Sequence, residues 1–432
     1  MTSRFRYIAE WMFMDVLGIG VQFTSDSKAI VNTDLPVLNY SLNRVGGEPF
    51  IRACGLLESG SLEVPDLVLV PCRDATGLFP TSDDSLMPFD PFASCFYIIT
   101  RMEEYFPSEC DEYGRFNHEL SVLSAMGSLG KPVTNIWCRI LSESLKEVYP
   151  GLIFPIMPFR YLPTIDIDNA FAYAGKSILR NLGSAVRQFG TKGFHGIAER
   201  WKVLTGQAKD PYDTYDYMFH HFKGNEKEVR FFIHLGDRSL FDTPVSWTNE
   251  RLRKLVRMIH NHYPSGIHPS YLASMDESPE RIINEKQRFS VITGADPIIS
   301  RQHFLMLRLP ETYRKLLMAG ITADYSMGYA GITGFRAGTC TPFPFYDLVA
   351  DEPSNLTIFP FQAMDVTLKN YMKLNPDEAI HNVCTLMDEV KAVGGWFSII
   401  WHNESVTGSG AWKEYRRVFE VINQKGFGYA RQ

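Results

Sequence analysis

Residues 161–168 read YLPTIDID, an apolar run closed by two carboxylates. Side chains alternate along an extended chain, so Asp166 and Asp168 fall on one face near the strand's end. Two carboxylates aimed the same way repel, and one pKa rises unless a cation compensates. That pairing suits one metal ligand beside one general base. The same residues equally suit caps of a following helix, since Asn169 comes next.

Outward from this stretch the pattern repeats. Strand candidates VRFFIHLG (229–236), SGIHPSY (265–271), ISRQHFLML (299–307), ITADYSMG (321–328), GFRAGTC (334–340), LTIFPFQAM (356–364) and WFSIIWHN (396–403) alternate with helical runs such as TNERLRKLVRMIHNHY and NPDEAIHNVCTLMDEVKAVGG. Alternation of this kind predicts an α/β chain folded as a distorted (β/α) barrel of about seven or eight units, with its chemistry at the C-terminal strand ends. His268, Arg336, Asp365 and His402 each close an apolar run, and that recurrence is hard to explain by packing alone. Residues 170–228 form a less regular insertion, with helix-like LRNLGSAVRQFG (179–190), expected as a lid or rim.

The chain has 432 residues, which favours two domains: a smaller α+β domain over 1–155 and the barrel over 156–432. In the first, FDPFASCFYIITRMEEYFP (89–107) spaces Phe92, Cys95, Phe96, Ile99 and Met102 for a core helix, with Asp90 as N-cap before Pro91. Arg101, Glu103 and Glu104 at its end are expected on a solvated face. The formal net charge of −6, without a basic run, argues against nucleic acid. Seven cysteines without a C-x-x-C pair read as reduced thiols, and no secretory leader or membrane span is evident, so a cytoplasmic protein is expected.

The order Asp-x-Asp, His-Pro-Ser-Tyr, Arg-Ala-Gly-Thr with Pro342-Phe343, a strand-end Asp and Ile400-Trp401-His402 resembles the polysaccharide deacetylases, the family 4 carbohydrate esterases. The resemblance covers roughly residues 160–425, and the N-terminal part is similar to an accessory domain in some bacterial relatives. It implies Asp166 as general base, Asp168 as metal ligand, Arg336 holding the base carboxylate, and Asp365 orienting His402 as general acid. It also implies removal of an N-acetyl or O-acetyl group from a carbohydrate, with a divalent ion, zinc above cobalt or nickel. A metal-dependent amidohydrolase of the same fold and a non-catalytic glycan-binding barrel are the alternatives.

The chain departs from the family in GIHPSYL (266–272). The second metal histidine belongs four residues after the first, where Leu272 stands. His303, in the next strand unit, is the expected replacement if the two strands are adjacent. His234 is the runner-up, and His262 lies at the wrong end of its strand. Tyr271, Phe343, Phe345 and Trp401 are the aromatics expected nearest the mouth, and a backbone N–H near Thr339 is the expected oxyanion donor. Cys340, without a base partner, is expected to be a small buried residue.

Overall fold

The computed structural model describes residues 1–26, 33–175 and 198–432. The helix expected at 179–190 lies outside the described residues.

Four short strands precede the main sheet. β1 (Asn39–Ser41) pairs in parallel with β2 (Phe50–Arg52), and β3 (Leu69–Cys72) pairs antiparallel with β4 (Ala75–Leu78). The main sheet contains β5 (Phe159–Ile167), β6 (Arg230–Ile233), β7 (Ser265–Ile267), β8 (Ile299–Ser300), β9 (Ala323–Asp324), β10 (Phe343–Asp347), β11 (Glu352–Ile358), β12 (Ala363–Met364) and β13 (Gly395–His402). Its order is β10-β11-β9-β8-β7-β6-β5-β13-β12, all parallel except the β10–β11 hairpin. The sheet is a curled half-barrel, not a closed ring: among the described residues β12 and the edge hairpin remain unpaired with one another.

The sequence explains most of these elements locally. β5 is buried at every position but Arg160, as a central parallel strand covered on both faces must be. The helix Glu250–His262 buries Leu252, Leu255, Val256 and Ile259, one stripe at helical spacing, and Asn249 caps it. Pro376–Val393 starts with a capping box of Asn375 and Glu378 and with Pro376 in the first turn. GFRAGTC is not a strand, and LTIFPFQAM splits between β11 and β12.

The N-terminal region is not a separate core. Tyr7, Trp11, Phe96 and Trp137 belong to one continuous apolar cluster with Phe231, Phe343 and Phe419. The Tyr7 hydroxyl donates to the Pro344 carbonyl and the Trp11 indole to that of Pro342. The helix Pro91–Ile99 is fully buried, and the Asp90 carboxylate accepts from Phe92 and Ala93 N–H at 3.0 Å.

The turn that follows this helix overturns an expectation. Arg101 and Glu104 are buried, Arg101 against the Tyr329 hydroxyl and Glu104 against Arg336. Gly334 meets the N-terminal region at another point, at φ 136° and so close that a Cβ would lie 2.3 Å from the Leu129 carbonyl oxygen. No helix among the described residues is long and apolar enough to cross a membrane.

Candidate metal centre

Gly266 lets the strands that carry the centre approach each other. A Cβ there would lie 2.1 Å from the Ile299 carbonyl oxygen, so only glycine permits β7 and β8 to pair as they do. His268 follows β7 directly, and its backbone N–H donates to Ile233 O. Pro269 ends the ladder and Ser270 caps the short helix Tyr271–Met275. β8 is only two residues long; the chain then turns through His303–Leu305, with Phe304 at φ 58° and Leu305 at φ 56°. Left-handed backbone at two non-glycine residues costs of order 1–3 kcal/mol each and tends to mark functional sites. The neighbouring strands therefore bring His268 and His303 together.

Asp168 lies between three imidazoles. Its Oδ1 is 3.0 Å from His268 Nε2, and its Oδ2 is 3.5 Å from His303 Nε2 and 3.7 Å from His402 Nε2. Each Nδ1 is engaged elsewhere: His268 with the Arg301 carbonyl at 2.6 Å, His303 with Asp242 at 2.8 Å and His402 with Asp365 at 2.7 Å. Oxygens of these kinds only accept, so each Nδ1 carries a proton. In the neutral rings every Nε2 is then a lone pair facing a carboxylate. Lone pairs facing at such distances repel unless a proton or a cation lies between them.

The electrostatics follow this arrangement. Burial alone would raise the Asp168 carboxyl, but His303, His268 and His402 hold it well below the usual range. Burial alone would lower His303, but Asp168 and Asp242 push it up to about 9. His402 is likewise raised well above 6.5 against its burial, by Asp365 and Asp168. Asp168 Oδ1 is buried without a hydrogen-bond partner. Ligand atoms of Asp168, His268 and His303 lie within 4.8 Å of one another, and this O/N donor set fits a divalent ion of the zinc type. Asp242 stands behind His303 as the carboxylate that fixes its tautomer.

His234, Asp242 and His303 also lie within 4.8 Å, but His234 is behind His303 and does not line the cleft. Its Nδ1 donates to the His268 carbonyl at 3.1 Å, and burial pushes its pKa down to about 3. His262 is exposed at the end of its helix, remote from the cleft lining.

Asp166 faces the same cleft, in register with His402 of β13. Its Oδ1 accepts from Arg301 at 3.0 Å, and the Arg301 side chain also donates to Thr164 Oγ1 and to the Tyr325 carbonyl. Arg301 thus occupies the place expected for Arg336. The Arg336 guanidinium instead pairs with Glu104 at 2.5 and 2.9 Å, beside Arg101. On the other side of the cleft, Asp365 holds both the His402 Nδ1 and its backbone N–H.

The expected substrate contacts fall elsewhere. Thr339 is fully buried and bonds Asn135 of the N-terminal region. Phe343 is core at the hairpin edge, as is Phe345, whose ring meets Tyr313. Trp401 alternates away from the mouth, its ring against Phe419. Tyr271 stands behind the cleft wall, its hydroxyl donating to the Tyr113 carbonyl and its ring against Phe304. The residues that do line the cleft besides the centre include Arg115, Gln302, Phe304, Met364 and Tyr371. Only Arg301 carried a visible sign, two places before His303 and so on the same face of an extended segment. Cys340 is buried, its thiol pushed up to beyond the ordinary range by burial.

Residues 1–150 match the model of a Family of unknown function (DUF7033). No curated protein matches the chain. Among solved structures, a Mycobacterium smegmatis protein assigned as a polysaccharide deacetylase is similar at 15% identity and a TM-score of 0.40, over 64% of this chain and 92% of its own. The polysaccharide deacetylase Bc1974 of Bacillus cereus is similar at 12% identity and 0.30, over 62% and 88%. An allantoinase is similar at 12% identity and 0.35, over 62% and 84%.

Proposed function

We propose that the chain is a divalent-metal-dependent hydrolase that removes an N-acetyl, or O-acetyl, group from a carbohydrate. The observation that carries this reading is the convergence of His268, His303 and His402 Nε2 on Asp168, with every Nδ1 already committed. Asp168, His268 and His303 would hold the ion. When bound, a zinc-type ion supplies Lewis acidity to a carbonyl oxygen and brings the pKa of water towards about 7.

The remaining groups divide the proton work. Asp166, aimed by Arg301, takes the proton of the attacking water. His402, charged at neutral pH beside Asp365, gives its Nε2 proton to the leaving nitrogen or oxygen. The Phe304 and Leu305 side chains, which line the cleft, keep bulk water from the reacting carbonyl. The products are acetate and a free amine or hydroxyl.

The test is acetate release by protein stripped with a chelator and reloaded with zinc, cobalt or nickel. N-acetylated sugars are expected to be hydrolysed and simple amides far less. Asp166→Asn and His402→Gln should each lower the rate by about 10²–10⁴-fold while the protein stays folded. Hydrolysis of simple amides alone would move the reading to a non-carbohydrate amidohydrolase. Failure to bind any of the three ions would overturn it.

A further inference from the structure

Arg115 belongs to the first 150 residues, which supply nothing to the proton transfers above, yet it lines the same cleft as Asp168 and His303. It sits in a turn closed by the bridge between Cys110 and Phe116. Asp111 fixes it there: one carboxylate oxygen accepts from the Arg115 backbone N–H at 2.9 Å, the other from Nε at 2.6 Å. The guanidinium then reaches the sheet, where its terminal nitrogens donate to the Phe304 carbonyl and to the Tyr371 hydroxyl, both at 3.2 Å. Phe304 is in the left-handed turn beside His303, so Arg115 braces the backbone next to an expected ligand.

Three of the five guanidinium N–H groups are used by these bonds, which leaves one on each terminal nitrogen. Arg115 is only 8% exposed, and the cleft is the open space it borders. Tyr371, by contrast, is 40% exposed and lines the same cleft, with the Arg115 guanidinium over its ring at 5.8 Å. An exposed aromatic side chain beside a guanidinium held in place is a combination that suits a sugar ring, which has apolar faces and hydroxyl edges.

The wall behind Arg115 is solid. The rings of Tyr113, Phe241, Tyr271 and Phe304 pack with centroids 4.7–5.8 Å apart. Tyr113 comes from the N-terminal region and the others from the sheet loops, so the wall joins the two parts of the chain. The cleft offers about 130 Å³ of space and opens to solvent.

We propose that the N-terminal region is part of the substrate site: Arg115 and Tyr371 receive a single N-acylated sugar ring at the free end of a substrate, and the wall behind Arg115 stops a polymer from continuing through. This rests on the hydrolase reading above. Arg115 is then a specificity-determining residue and takes no part in proton transfer.

The test uses the full chain reloaded with zinc, an N-acetylhexosamine and a short oligosaccharide of it, with mass spectrometry to locate the lost acetyl group. The wild type should act on the terminal residue alone. Arg115→Met should raise KM for the monosaccharide by about tenfold or more, the size of one lost hydrogen bond to a charged group. It should also spread deacetylation to interior residues.

Zinc stoichiometry and the melting temperature show whether Arg115→Met folds. If it does not, Tyr371→Phe and Tyr371→Leu carry the test: the first keeps the ring and should raise KM less than the second. Saturation-transfer NMR reports sugar binding without turnover. If the wild type neither binds nor hydrolyses an N-acylated sugar, the hydrolase reading falls and this inference with it. If it acts equally on interior and terminal residues, or if KM is unmoved in the folded variants, this inference alone falls.

Discussion

Replacing Arg301 by Met strands a buried carboxylate. Arg301 and Asp166 are almost wholly buried, at 0% and 3% side-chain exposure, with 3.0 Å between Nη1 and Oδ1. At an effective dielectric constant near 20, two unit charges at that separation attract by about 5 kcal/mol. Removing one partner of a buried pair costs roughly 3–5 kcal/mol, because the other charge stays desolvated. Urea denaturation at pH 7 should therefore show Arg301→Met less stable by about that amount. In an Asp166→Asn background the same replacement should cost much less, giving a coupling of about 2 kcal/mol or more. Arg336→Met leaves Glu104 still bonded to Arg101 at 2.7 Å and should show no coupling to Asp166 beyond about 0.5 kcal/mol. A coupling for Arg336, or none for Arg301, would refute the assignment of Arg301 to the Asp166 carboxylate.

Three further outcomes are expected. Asp242→Ala removes the acceptor that orients His303 and should weaken zinc affinity by roughly 10–100-fold in chelator competition; unchanged affinity would remove Asp242 from the account. Glu285, which accepts from the Ser270 N–H and hydroxyl, is pushed by burial from 4.5 up to about 7. The folded state thus keeps a proton that the unfolded chain releases, so its contribution is full below about 4.5 and lost as pH rises through 7, at most about 3.5 kcal/mol. Urea titrations at pH 5 and pH 8 should show a smaller pH dependence in Glu285→Gln than in the wild type. Thr339→Val breaks a buried bond to Asn135 and should cost about 1–3 kcal/mol of stability while leaving KM of the folded enzyme unchanged; a raised KM would return Thr339 to the substrate site.

Much of the geometry was legible because a polar residue that closes an apolar strand has a fixed address. Asp166, Asp168, His268, His303, Asp365 and His402 all stand at or just past C-terminal strand ends, and the parallel order brings those ends together. The pairing of Ile267 with Ser300 was the least visible step, since β8 has only two residues and its expected run ISRQHFLML bends sharply after His303. Arg336 was unreadable for another reason. Its partner Glu104 lies 232 residues away, and nothing local in GFRAGTC tells an N-terminal neighbour from a cleft. The same separation hid the burial of Arg101. Periodicity identifies a charged helix end, but it cannot say that another part of the chain will cover it. Arg115 and Asp242 lie in turns with no periodic pattern to mark them, and they acquire a place only through Phe304, Tyr371 and His303.

The central claim is that one divalent ion is shared by Asp168, His268 and His303. Anomalous diffraction at the zinc edge from zinc-soaked crystals tests it directly. The expected result is one strong peak within about 2.0–2.2 Å of an Asp168 carboxylate oxygen, His268 Nε2 and His303 Nε2, with His402 Nε2 outside bonding distance. A peak that leaves out His303, or no peak among these residues at saturating zinc, contradicts it.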